Sequence, residues 1–181
     1  YSAYVFDRVG LTAVFMAAFL VPALIASPLW LRANKRGLTK QKGLLISQSM
    51  FVVGSLGLAA GSILGLAVSV AIVLMMGVAF AGLQLFAFSM VPDVARAASA
   101  DGSTAASYTG VWTATEATGT AIGPYVYSMI LAIGGFAASS AGETVTQTDS
   151  AMTALVVGFT AVPALLMVVA MAFQRRYRLQ P

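Results

Sequence analysis

The sequence contains no cysteine and no histidine, and charged residues fill only 9% of its 181 positions. Without cysteine, disulfides and thiolate metal sites are excluded, and the redox compartment cannot be read. Without histidine, the commonest proton shuttle and metal ligand is gone. No phosphate-binding glycine loop follows a strand-like run, and no two carboxylates share a helical face. Nucleotide binding and hydrolytic chemistry are therefore not indicated. Neither an enzyme activity nor a metal site is expected. No charged n-region precedes an apolar h-region, so no signal peptide is visible. The chain begins at Tyr1, about one turn before its first apolar run, which suggests a piece of a longer protein.

What is present is apolar. Hydrophobic residues make up 59% of the chain, and the mean hydropathy is +0.89. Soluble domains carry roughly 25% charged residues, so a soluble fold could not clothe this surface. Asp, Glu, Lys and Arg are missing from Val9 to Leu31, Gly43 to Pro92, Ala117 to Gly142 and Ser150 to Gln174. A hydrocarbon core about 30 Å thick needs about 20 apolar helical residues. The second gap is long enough for two such helices. The alternating pattern of a transmembrane barrel is absent. The fold class is therefore all-α, a polytopic membrane protein with five transmembrane helices. The spans are expected at about residues 6–31, 43–60, 66–91, 105–136 and 151–173. Pro22 and Pro163 lie inside spans, and Gly61, Ser62 and Gly65 suggest the turn between the second and third.

The net charge of +4 is clustered rather than spread, so it does not read as a nucleic-acid footprint. Arg32, Lys35, Arg36, Lys40 and Lys42 fall in a basic loop at 32–42, and Arg96, Arg175 and Arg176 follow later spans. Short basic loops stay cytoplasmic. This places the C-terminus in the cytoplasm, the chain's N-terminus outside, and the acidic loop 137–150 outside. Four-residue spacing of glycines, Gly57-Gly61-Gly65 and Gly119-Gly123, allows close helix packing in lipid.

Glu116 stands about eleven residues into the fourth span, roughly 16 Å along it. An ionisable group at that depth costs at least ~2.5 kcal/mol and is rare unless it faces a polar path. Trp112, Thr113 and Thr120 lie within four residues of it and resemble the lining of a solute or proton pathway. A protonated glutamate bonded to a neighbouring helix for structural reasons is the alternative. Gln84, mid-way along the third span, either faces a cavity or bonds across to another helix. Asp93 and Arg96, one turn apart, form either an end-of-helix ion pair or a gate. Asp7 and Arg8 are interfacial anchors or part of an external gate.

Several segments resemble one family. Met90-Val-Pro-Asp-Val94, a short polar connection and then Tyr108-Thr-Gly-Val-Trp112 look like the glycoside–pentoside–hexuronide:cation symporters, the melibiose permease-like branch of the major facilitator superfamily. Pro28-Leu-Trp-Leu-Arg-Ala-Asn-Lys-Arg-Gly37 resembles the segment after that family's eighth helix, and Gln174-Arg-Arg-Tyr-Arg-Leu179 its ending of helix twelve. The resemblance covers essentially the whole chain and implies helices eight to twelve of a twelve-helix fold. It further implies symport of a sugar or related solute with Na⁺ or H⁺ by alternating access. The expected setting is the cell (inner) membrane, with lipid, the solute and the missing N-terminal half as partners. No cofactor beyond the coupling ion is expected. Two positions depart from the family, which commonly has a lysine at the place of Glu116 and a second acid where Arg96 stands. An exporter or lipid-like solute carrier of the same superfamily, and a truncated structural subunit without transport, are the alternatives.

Overall fold

The computed structural model describes residues 2–6, 8, 10–98, 104–137 and 146–176. They form eight helices: α1 (Ser2–Val5), α2 (Leu11–Ile25), α3 (Ser27–Lys35), α4 (Lys40–Ala59), α5 (Gly61–Leu64), α6 (Leu66–Ala98), α7 (Ala105–Ile133) and α8 (Asp149–Gln174). No strand occurs among the described residues. Among the described residues, four segments are long and apolar enough to cross a membrane: α2 with α3, α4, α6 and α8. The fifth long helix, α7, has the length but not the apolarity, because threonines, serines and Glu116 dilute it.

The break in the first segment falls at Ala26, not at Pro22. Pro22 sits inside α2, and its carbonyl still accepts the Ala26 N–H at 2.9 Å. Pro28 is the residue that cannot continue the ladder, since its missing N–H would have bonded four residues back. The expected basic loop is mostly helical. α3 continues to Lys35 and α4 begins at Lys40, which leaves only 36–39 between them. Gly37 closes α3 with φ +104°, a conformation that favours glycine, and Asn34 Nδ2 donates to the Leu38 carbonyl. Thr39 then caps α4 by accepting from the Lys42 N–H. Similarly, α6 does not stop at Val91 but runs through Pro92 to Ala98. Its 33 residues span about 50 Å, so its ends reach beyond the hydrocarbon. The turn expected near Gly61 and Gly65 is present as α5, ended by Gly65 at φ +82°.

Helix α6 is central and packs against α2, α3, α4, α5 and α7. Ala18, Leu58, Val73 and Met76 form one buried cluster, with Phe15, Phe19 and Phe51 around it. Ala26, Trp30, Ala81 and Phe86 form a second, where the Trp30 and Phe86 rings meet edge to face. Trp30 Nε1–H donates to the Val78 carbonyl at 2.9 Å, so the indole is both packed and satisfied.

The tightest approaches come from glycines other than the expected ones. A Cβ on Gly77 would collide with the Phe19 carbonyl of α2, one on Gly82 with Ser47 and Trp30, and one on Gly43 with the Phe86 ring. Gly57 does meet Ile72, but Gly119 and Gly123 face open space. Buried and half-buried polar groups link α4 to α8. Ser55 Oγ donates to the Thr160 carbonyl at 2.8 Å, and Gln41 and Gln174 each donate a side-chain N–H to the other's main-chain carbonyl, at 3.2 and 3.0 Å.

Candidate transport cavity

A cavity of about 380 Å³ opens where α2, α3, α6 and α7 meet, lined by Ala23, Ser27, Phe80, Ala81, Gln84, Leu85, Phe88, Trp112 and Glu116. Each element contributes a face set by helical spacing. On α6 the lining residues recur one turn apart, and on α7 Trp112 and Glu116 are four residues apart, hence stacked on one side. Ala23 and Ser27 bracket the α2–α3 break. Along α6, Gln84 lies about 27 Å from the helix start, and along α7, Glu116 lies about 16 Å from it. Both are near mid-length in helices of 33 and 29 residues. The polar groups therefore converge near the middle of the two helices.

Phe88 and Trp112 hold α7 against α6 with ring centroids 6.5 Å apart, edge to face. No residue of α7 is buried by the described chain, so its contact with α6 at the cavity and with α8 further along carries its position. At the α8 side, Gly158 leaves room for the Tyr127 ring. Among the described residues, Glu116 has no ion-pair partner, and the lining contains no Lys or Arg.

Of the residues singled out in the sequence, Glu116, Trp112 and Gln84 come together in this cavity. Thr113 and Thr120 do not line it. Both are exposed, as Glu116 itself is, and Thr120 Oγ1 donates to the Glu116 carbonyl at 2.9 Å. Thr109, Thr115 and Thr118 also bond to carbonyls four residues back. A threonine on a helix can satisfy its hydroxyl in this way, so Thr109, Thr115, Thr118 and Thr120 read as self-satisfied helix surface. The lining residues Phe80, Phe88, Ala23 and Ser27 carry no charge or motif that would distinguish them in sequence.

Asp93 does form an ion pair, but its close partner is Lys40 rather than Arg96. Lys40 Nζ lies 2.5 Å from Asp93 Oδ2 and also donates to the Ser89 carbonyl at 3.1 Å. Arg96 stays 3.7 Å from Oδ1 with a side chain 73% exposed. Together with the Gln41–Gln174 exchange, this ties the start of α4 to the ends of α6 and α8. The three regions expected on one membrane side therefore meet at one end of the bundle. At the other end, Ser150 Oγ donates to the Gly134 carbonyl, joining α7 to α8. Arg8 is exposed, and its carbonyl accepts the Leu11 N–H. Asp7 lies outside the described residues, as do most of the acidic loop and the Tyr177-Arg178 tail.

Long apolar helices packed around a small, mid-depth cavity with a carboxylate, an amide and aromatic rings define a multi-pass membrane protein. A family model described as MFS/sugar transport protein matches residues 1–181, and the chain belongs to that family, within the major facilitator superfamily of transporters. No curated protein and no solved structure matches the chain.

Proposed function

We propose that the cavity is part of the solute pathway of a cation-coupled symporter that works by alternating access. The observation that carries this reading is the convergence of Glu116, Gln84 and Trp112 on one cavity near the middle of α6 and α7. Transporters of this architecture place their sites near the midplane, and an unpaired intramembrane carboxylate is costly unless a pathway uses it. The order of the motifs supports a melibiose permease-like member, with the five long segments as helices eight to twelve. In that arrangement the first half supplies most of the cation ligands, and Glu116 faces the solute. The clustering of Lys40, Arg96 and Arg175 at one end of the bundle supports a cytoplasmic assignment for that end, in an inner membrane. The Lys40–Asp93 and Gln41–Gln174 links then tie cytoplasmic helix ends, where alternating access needs a closure.

The test uses the complete protein in proteoliposomes with an imposed Na⁺ or H⁺ gradient and a panel of labelled neutral and charged monosaccharides. Gradient-driven accumulation of at least one solute is expected, and Glu116→Gln should lower it about tenfold or more. Accumulation indifferent to both gradients would remove the symport assignment. Wild-type accumulation in the Gln variant would remove Glu116 from the pathway.

A further inference from the structure

The outer face of the α4–α8 pair is apolar and ends in cations. On α4, Lys42, Ile46, Val53 and Leu56 lie along one side of the helix, and all four are exposed. Ser49 falls in the same stripe and donates its hydroxyl to the Leu45 carbonyl at 2.8 Å, so it adds no unmet polar group. On α8, Leu165, Leu166 and Phe173 are exposed in the half that leads to Arg175 and Arg176, themselves exposed. The Gln41–Gln174 exchange brings these cationic ends together, since Lys42 follows one glutamine and Arg175 the other. The described acid at this end, Asp93, is held by Lys40. Neither α4 nor α8 lines the cavity. Where α7 exposes Glu116 and threonines, the outer side of α4 and α8 exposes hydrocarbon, which suits lipid.

From Ile46 to Leu56 the stripe runs about 15 Å, the depth of one leaflet in a hydrocarbon core about 30 Å thick. Lys42 and the two arginines then stand at headgroup level, where long cationic side chains reach outward to the interface. An arginine fork matches phosphate oxygens in pairs, and a lysine adds a compact charge. Basic clusters at the ends of transmembrane helices recognise anionic headgroups. We propose that an anionic glycerophospholipid docks on the α4–α8 face, its phosphate on Lys42, Arg175 and Arg176 and its acyl chains along Ile46, Val53 and Leu56. A zwitterionic headgroup would bring its own ammonium to the same three cations and is disfavoured. Arg32, Lys35 and Arg36 of α3 are exposed too, but α3 borders the cavity through Ser27, so they serve as the comparison set. The docking needs only a membrane-spanning bundle and is independent of the symport reading.

Native mass spectrometry of the detergent-purified complete protein reads the first lipid bound when phosphatidylglycerol and phosphatidylcholine of equal chain length are offered together. Each cation beside an anionic headgroup contributes about fivefold, so phosphatidylglycerol should be preferred at least about tenfold. Lys42→Gln combined with Arg175→Gln and Arg176→Gln should reduce the preference to within about threefold. Lys42→Arg combined with Arg175→Lys and Arg176→Lys keeps the charge and should keep the preference, which separates lost charge from lost fold. Arg32→Gln, Lys35→Gln and Arg36→Gln together should change it by less than about twofold. An excess of inorganic phosphate should not displace the lipid, because it has no chains for the apolar stripe. Equal binding of the two lipids by the parent would overturn the proposal. So would a preference that survives the α4–α8 glutamines, an equal loss from the α3 set, or displacement by phosphate.

Discussion

Gly77→Ala is expected to unfold the α2–α6 contact, although alanine is the better helix former. In a helix interior the exchange of glycine for alanine ordinarily gains about 1 kcal/mol. Here the added methyl would meet the Phe19 main-chain carbonyl and the Pro22 ring. Main chain cannot swing aside as a side-chain tip can, so α2 must move off α6. The surrounding cluster of Ala18, Leu58, Val73 and Met76 would then lose packing. The cost should reach or exceed the ~1–3 kcal/mol of ordinary overpacking. The comparison variant is Gly57→Ala, whose methyl would meet only the Ile72 side-chain tip at 3.2 Å and should stay within about 1 kcal/mol of the parent. Thermal melting of the detergent-purified protein, with the monodisperse fraction recorded, reads both. Equal melting of the two variants would show that the α2–α6 approach is looser than described.

The second large effect concerns the pair at the end of the bundle. Lys40 and Asp93 have side chains 31% and 15% exposed, between the surface pairs that contribute about 0–1 kcal/mol and buried ones whose rupture costs about 3–5 kcal/mol. Asp93→Asn and Lys40→Met should each destabilise by about 1–2 kcal/mol. The double variant should cost less than the sum, because neither partner is left alone. Arg96→Ala, at the longer and exposed contact, should cost under about 0.5 kcal/mol. A double-mutant cycle on unfolding free energy checks this. Additive single costs would mean that Lys40 and Asp93 do not interact, and a larger loss from Arg96→Ala would make Arg96 the principal partner of Asp93.

The Asp93–Arg96 pair expected from sequence is present, but only as the longer and more exposed of two contacts, for a physical reason. Asp93 and Arg96 are one turn apart on the same helix, which is the spacing sequence alone can see. Lys40 lies on another helix, and only the packing of α4 on α6 brings it close. The same limit hid Gly77 and exposed Gly119 and Gly123, since small-residue spacing says where a close approach is possible but not which helix arrives. Charge gaps were a better guide. Four of them yielded all the long helices, because the cost of burying charge in lipid is large and local. The α2–α3 break falls at Ala26, between two prolines six residues apart, and only packing decides where such a helix bends. The cavity was half legible. Glu116, Gln84 and Trp112 stand out against an apolar background, whereas Ala23, Ser27 and the phenylalanines resemble any other lipid-facing residue until the helices are assembled. Thr113 and Thr120 stood out for the same reason as Glu116, but a hydroxyl can be satisfied by its own helix and a carboxylate cannot.

The weak apolarity of α7 has a consequence for biogenesis. A segment with Glu116 at its middle and threonines along its length gains little by leaving the insertion machinery for lipid on its own. It follows α6, the longest of the apolar helices, and precedes α8, which is strongly apolar too. Its entry should therefore be cooperative: α7 would wait at the translocon until a neighbour shields its polar face. Glycosylation mapping of α7 alone should report poor insertion, and of α6 to α8 together, efficient insertion. The residue that equips the cavity would thus also set the order in which the bundle is assembled.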